Sequence, residues 1–175
     1  MNINQFKAEL VGGGARPNLY KVILPFPTVA LTSGQETRKM AFLCRSAALP
    51  SSTIGPIQVP FQGRVLPVPG DRTYIEWSLT VFNDTDFMLR DAFERWSNAI
   101  NSHSENFSSL DLSQLYVDGI VQQLGRKGEV LKEYKMEGIW PSEVGQIDLA
   151  FDTNDTIEEF PVTLQVTSWS SNTTS

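Results

Sequence analysis

Apolar and polar positions alternate most regularly between residues 73 and 81. Thr73, Ile75, Trp77, Leu79 and Val81 fall on one side, and Tyr74, Glu76, Ser78 and Thr80 on the other. A period of two marks a half-buried strand. Asn83, Asp84, Thr85 and Asp86 follow, offering N-cap side chains and first-turn negative charge. The period then changes: Leu89, Phe93, Trp96 and Ile100 recur at spacings of four, three and four, which is one stripe on a helix. The pattern predicts a helix over about 84–100. Just upstream, Val68-Pro69-Gly70-Asp71 has the proline and glycine of a type II turn. The stretch should therefore run turn, strand, helix, with two apolar faces that bury each other.

The rest of the chain is mostly short strands. Residues 4–11 could form a short helix or a flexible arm; Ile3, Phe6 and Leu10 lie near one side and Gly12 can stop it. Gly12-Gly13-Gly14 interrupts the backbone pattern. Residues 18–26 form a strand candidate that Pro25 and Pro27 end or place at an edge. A turn at Thr32-Ser33-Gly34-Gln35 sits in a polar connection reaching Arg38. A second strand is expected over 39–49, with Met40, Phe42, Cys44 and Ala48 on its more apolar face. Residues 101–111 are a polar loop. Residues 114–124 and 129–139 read as strands of a hairpin joined through Gly125-Arg126-Lys127-Gly128. Trp140-Pro141-Ser142-Glu143 should break the second of them. Ile147, Leu149 and Phe151 alternate over 146–151, Asp152-Thr153-Asn154-Asp155 reads as a turn, and Phe160, Val162, Leu164 and Val166 share a face of a last long strand over 157–169.

About seven short strands separated by turns, with one helix, predict a mainly β (α+β) protein. It should have two packed, mostly antiparallel sheets, forming a sandwich or barrel with one flanking helix. Residues 1–175 are read as a single domain, with an N-terminal arm over 1–14 and a polar C-terminal tail over 170–175.

Residues 50–68 do not fit a buried sheet. Prolines at 50, 56, 60 and 67 exclude a central strand and point to an edge strand or a protruding hairpin. Ile54, Ile57, Val59, Phe61, Val65 and Leu66 would then be exposed. On a monomer that is a liability; on an oligomer it is a subunit interface. This stretch is the physical sign of a building block.

Composition narrows the function mainly by exclusion. The net charge of −6 provides no chain-wide basic footprint for gripping nucleic acid. One cysteine excludes an intrachain disulfide. The first residues lack the basic-then-apolar order of a secretory signal, and no apolar run reaches the roughly 18 residues of a membrane helix. The only histidine, His103, lies in a polar loop, whereas Cys44 lies on an apolar face, so a Cys–His dyad and a zinc site are both unexpected. Gly12-Gly13-Gly14 is followed by Ala15-Arg16-Pro17, not by the residues of a phosphate-binding loop. The turn at Asp152 has Ile157 where a calcium loop needs glycine and Thr163 where it needs glutamate. The Glu158-Glu159 pair is too common a feature to signal acid–base chemistry. Arg126-Lys127 could touch a phosphate or simply solubilise a hairpin tip. Trp77, Phe93 and Trp96 are spaced as core rather than as a stacking platform. No catalytic, cofactor or metal site is expected.

Two blocks carry more than periodicity. ALPSSTIGPIQVPFQGRVLPVPGDRTYIEWSLTVFNDTDFMLRDAFERW, residues 48–96, resembles the tail tube proteins of contractile-tailed bacteriophages, as does GIWPSEVGQIDLAFDTNDTIEEFPVTLQVTSW, residues 138–169. ARPNLYKV, residues 15–22, is similar to that family's first strand. The order matches too: an ALP segment, GDRT, a tryptophan-bearing strand, an ND-capped helix, a GIWP segment and a closing FPVTLQV strand. The resemblance implies a structural virion protein with no enzymatic activity. Six subunits would form a ring and rings would stack into the inner tube of a contractile tail. The implied partners are further copies of the chain and the sheath, baseplate or tube initiator, tape measure and tail terminator proteins. Double-stranded DNA would pass without specific binding. The alternatives are a baseplate tube initiator, a tube protein of an injection or secretion machine, or a monomeric β-sandwich that binds a ligand.

Overall fold

The structure, a computed structural model, describes residues 2–108 and 111–174. It is mainly β, with the strands β1 (Tyr20–Ile23), β2 (Cys44–Ala47), β3 (Ser52–Phe61), β4 (Arg64–Tyr74), β5 (Trp77–Phe82), β6 (Val117–Leu124), β7 (Val130–Val144), β8 (Glu159–Gln165) and β9 (Ser168–Ser171). Among the described residues four α-helices accompany them, α1 (Ile3–Glu9), α2 (Glu36–Leu43), α3 (Met88–Ile100) and α4 (Leu112–Leu115), with a short 3-10 helix at Val11–Gly13. Seven strands form one antiparallel sheet in the order β1-β6-β7-β8-β5-β2, with β9 also paired to β7; β3 and β4 form a separate two-stranded sheet.

The large sheet has two halves because β7 changes partners. Its first part pairs with β6 on one side and β9 on the other, and from Trp140 onward it pairs with β8. Trp140-Pro141-Ser142-Glu143 therefore does not break the strand, as the proline suggested. It forms an irregular step between Pro141 and Glu143 within it, which is where proline is tolerated in a sheet. The bend comes at Gly138, whose φ is +64°; a Cβ there would meet the Thr167 Oγ1 at 2.4 Å. Only glycine meets both requirements.

The two halves bury a common core. Val22, Val121, Met136 and Ile139 from one half join Trp77, Leu79, Val81, Phe160, Val162 and Leu164 from the other. The alternation expected for residues 77–81 and 160–166 is thus borne out. Helix α3 buries Leu89, Ala92, Phe93 and Trp96 against this core. Phe93 meets Phe26 edge-on at 5.0 Å and Phe160 at 6.2 Å between ring centroids. The Trp96 indole N–H donates to the Leu115 carbonyl at 2.8 Å. Each such large side chain contributes about 1.5–3 kcal/mol through burial.

Several local expectations are corrected. Residues 36–43 are helix α2 rather than the start of a strand. Glu36, Met40 and Cys44 are all buried, a spacing of four rather than two, and Phe42 points to solvent, 75% exposed. The Glu36 carboxylate accepts the backbone N–H groups of Thr32 at 2.7 Å and Ser33 at 3.0 Å, holding the preceding turn onto the helix. Helix α3 begins at Met88, one turn later than the ND segment suggested; Asp86 Oδ1 accepts the Met88 N–H at 3.0 Å. The strand expected at 73–81 is interrupted at Ile75-Glu76, and the long final strand is divided into β8 and β9. Residues 146–151 form no strand despite their alternation, leaving Leu149 and Phe151 79% and 107% exposed. Residues 3–9 are helical, with Asn2 and Gln5 forming a capping box. Of the polar loop at 101–111, residues 109 and 110 lie outside the described residues.

Candidate assembly interface

Strands β3 and β4 project as a hairpin, and among the described residues no third strand lies beside them. Their register pairs Ile57 with Val68, Val59 with Leu66 and Phe61 with Arg64. Directly paired residues point to one face of a sheet, so that face carries five large apolar side chains: Ile57, Val59, Phe61, Leu66 and Val68. The opposite face carries Gln58 opposite Pro67 and Pro60 opposite Val65. All six residues expected at an interface are exposed: Ile54, Ile57, Val59, Phe61, Val65 and Leu66 range from 42% to 68%. The geometry groups Ile57, Val59, Phe61 and Leu66, puts Val65 on the reverse side, and leaves Ile54 beyond the register shift between Ile54 and Pro56. Val68 belongs to the same apolar face, and the sequence reading missed it by assigning it to a turn.

The turn itself lies elsewhere. Gln62 and Gly63 have φ of +46° and +80°, the paired positive values of a two-residue hairpin turn. Gly70, expected to turn the chain, stays in β4 opposite the bulge; a Cβ on it would meet the Gly55 carbonyl oxygen at 2.7 Å. The glycine therefore permits close strand approach rather than a reversal. Prolines 56, 60, 67 and 69 all lie in the hairpin, where missing N–H donors are tolerated because no neighbouring strand needs them. The hairpin is anchored at its base: the Ser51 carbonyl accepts the Trp169 indole N–H and the Ile75 N–H, each at 3.2 Å.

Two other exposed apolar surfaces accompany it. Helix α1 buries none of its residues and presents Ile3 and Phe6 to solvent. The segment between β7 and β8 presents Leu149, Phe151 and Ile157 beside an open concavity of about 1070 Å³ that also includes Arg45, Phe82 and Glu159. The large sheet is open as well: among the described residues β1 pairs only with β6, and β2 only with β5.

The chemistry found elsewhere is structural. Cys44 is buried, and burial pushes its thiol up to about 12, which removes it as a nucleophile near neutral pH. Tyr20 donates its hydroxyl to the Cys44 carbonyl at 2.9 Å. His103 lies exposed after α3. Glu159 pairs with Arg45, and Glu158 accepts from the Asn83 side-chain amide at 2.7 Å. Lys39 pairs with Asp84 and Asp86; those hydrogen bonds lower both carboxyl groups below their usual range and raise the amine. Trp77, Phe93 and Trp96 are core residues. Among the described residues no three His, Cys, Asp or Glu side chains are grouped to hold a metal ion.

Comparison with known proteins shows the family to which the chain belongs. A sequence profile of the family described as phage tail tube protein matches residues 15–172. The chain belongs to the phage tail tube protein family. It is 33% identical to tail tube protein gp19 of Enterobacteria phage T4 over 159 residues, covering 90% of this chain and 92% of that one. It is 28% identical over 165 residues to the tail tube protein of Serratia phage KSP90, covering 93% of each. A chain of the PVC extracellular contractile injection system, in its sheath–tube complex in the extended state, superposes with a TM-score of 0.63 at 14% identity, covering 98% of this chain and 97% of that one. That likeness establishes the fold. As a tail tube protein the molecule is a structural component of the virion rather than an enzyme. No helix is long and apolar enough to cross a membrane among the described residues.

Proposed function

We propose that this chain is the repeating protomer of the tube, that it acts as one tube domain from end to end, that six copies close into a ring, and that rings stack into a conduit for double-stranded DNA. The observation that carries the reading is the β3–β4 hairpin, whose five apolar side chains on one face, Ile57, Val59, Phe61, Leu66 and Val68, are each 37–68% exposed. Large apolar patches exposed on a soluble protein mark partner sites, and here an identical copy is the partner. The free edges of β1 and β2 support the ring: strands from neighbouring copies complete the sheet, which removes the open edges that invite irregular aggregation. A ring closed by rotation leaves both of its flat faces available for stacking.

The charge balance suits a passage for DNA. Duplex DNA carries one negative charge per about 1.7 Å of axis, and each cation held against it adds salt-dependent grip. A chain of net charge −6 supplies little such grip, so DNA slides without being specifically bound. In the virion the tube's partners are the sheath around it, a baseplate or initiator below, the tape measure within and a terminator above.

Negative-stain microscopy of the purified protein tests this directly. The expected images are sixfold rings at low concentration and stacked tubes at high concentration. A particle that remains monomeric at every concentration, also after addition of a baseplate nucleus, refutes the proposal.

A further inference from the structure

A second concavity, of about 390 Å³, opens where the N-terminal arm meets the tip of the β6–β7 turn. Arg16, Arg126 and Lys127 line it together with Leu19, Leu124 and Leu131. The arm is tied to β6 here: the Gln123 side-chain amide donates to the Arg16 carbonyl at 2.7 Å and to the Leu19 carbonyl at 2.6 Å. The Arg126 guanidinium lies on the backbone of Gly13, where a Cβ would meet its Nη2 at 2.8 Å. Glu129 also lines the concavity, but its carboxylate accepts the Lys127 backbone N–H at 2.9 Å. Among the described residues Arg16, Arg126 and Lys127 form no ion pair. Three exposed cations thus gather around one partly apolar hollow, on a chain of net charge −6.

The segment between β7 and β8 has the opposite chemistry. Residues 146–159 carry five acids and no Lys or Arg. Glu158 and Glu159 are engaged with Asn83 and Arg45. Asp148, Asp152 and Asp155 are exposed and, among the described residues, form no ion pair. Leu149, Phe151 and Ile157 beside them are 69–107% exposed. Both surfaces lie at the end of the large sheet away from the β3–β4 hairpin. The hairpin base is held by Trp169, which pairs with Met136, whereas the basic concavity lies where β7 begins, with Val130 opposite Leu124. Strand β5 leaves the hairpin at Trp77 and ends at Phe82 beside the acidic segment. Six strand residues rise about 20 Å. Tyr20, the first residue of β1 after the arm, bonds the Cys44 carbonyl next to Arg45, which lines the acidic side. Surfaces at one end of a molecule meet between copies that stand side by side; end-to-end stacking would hold them a subunit's length apart.

Taking the ring reading above as its basis, we infer that the acidic segment of one copy docks on the basic concavity of its neighbour in the same ring. Phe151 enters between Leu124 and Leu131, and Asp152 and Asp155 face Arg126 and Lys127. The contact is heterologous, since each copy gives its segment to one neighbour and its concavity to the other. Rotation that closes the ring therefore leaves neither surface unused. Opposite charges at the rim set the register between copies, and the covered apolar side chains supply the burial.

Zero-length crosslinking and charge reversal test the assignment. Equal amounts of isotopically labelled and unlabelled full-length chain are assembled, treated with a carbodiimide and mapped by mass spectrometry. The expected bond joins the Lys127 amine to the carboxylate of Asp152 or Asp155 in the other isotopic form. Preparations in which rings are visible but that bond is missing, or forms only within one isotopic form, overturn the contact and leave the ring reading standing. Absence of any wild-type assembly overturns both. The second arm reverses charges on exposed side chains, which spares the fold. Arg126→Glu with Lys127→Glu, and separately Asp152→Lys with Asp155→Lys, should each raise the concentration for half-assembly at least about tenfold. A mixture in which one chain carries all four changes should assemble close to the wild-type concentration. Normal assembly by either reversed pair, or no recovery in the fourfold variant, contradicts the inference. Normal rings from Arg126→Glu with Lys127→Glu together with lost binding to duplex DNA would assign the concavity to nucleic acid and overturn it as well.

Discussion

Strands β5 and β8 and the hairpin β3–β4 share one sequence pattern and meet opposite fates. Leu79, Val81, Phe160, Val162 and Leu164 are no more than 2% exposed. Ile57, Val59, Phe61 and Leu66, equally apolar and equally alternating, are all more than 40% exposed. The difference is in what surrounds each pair. The first pair continues into β7 and β2 and lies under α3. The second pair is studded with prolines that cannot donate to a third strand, and it forms a two-stranded sheet of its own. Alternation therefore shows that a face must be buried. Proline placement helps determine whether a further strand of the same chain can cover that face.

That contrast separates stability from assembly, and substitutions in each region should move only their own quantity. The largest effect on folding is expected from Phe93→Ala, which empties the site between Phe26 and Phe160. Loss of about 3–5 kcal/mol is expected from such a truncation in a packed core, read from urea unfolding of the monomer. A loss below about 1 kcal/mol would mean that α3 is not held on the core as described.

A smaller effect is expected at Glu36. Burial alone would raise its carboxyl, but the backbone N–H groups of Ser33, Thr32 and Gly34, together with its own, outweigh that and lower it below 4.5. A carboxyl lowered by folding adds stability that is complete above the unfolded value and is lost as pH falls through the folded one. Wild-type protein should lose stability on acidification below about pH 4.5, and Glu36→Gln should be less stable at neutral pH and flatter across that window. An unchanged acid limb in the variant would remove Glu36 from the account of α2. Neither experiment touches the hairpin, so surfaces available for assembly should be unaltered wherever the monomer remains folded.

The sheet body was largely legible from the sequence, since Trp77, Leu79, Val81, Phe160, Val162 and Leu164 announce their burial by period alone. Helix α3 was legible for the same reason, although its start was not: Asp84 and Asp86 bind Lys39, and only Asp86 also reaches the first turn. Helix α2 was hidden because Met40, Phe42 and Cys44 mimic a strand face while Glu36, Met40 and Cys44 are the residues that go inside. The change of partners along β7 was hidden because it depends on Gly138 and on the distant Thr167. At the interface the proline-rich stretch was visible as unburied. Its apolar face was not resolved until the register paired Val68 with Ile57, and the turn signal lay in Gln62-Gly63 rather than Pro69-Gly70. Residues 146–151 were read as a strand because Ile147, Leu149 and Phe151 alternate, yet the segment pairs with no strand among the described residues and leaves Leu149 and Phe151 exposed.

The most direct test of the central claim, that the apolar hairpin is completed by another copy, is to compare unfolding and assembly in the Ile57→Asp/Phe61→Asp variant. The account predicts a monomer unfolding free energy within about 0.5 kcal/mol of wild type, as for substitutions on an open surface, together with loss of tubes in sedimentation and microscopy. A variant that still builds tubes of normal length, or one whose monomer unfolds as readily as a core truncation, would contradict it.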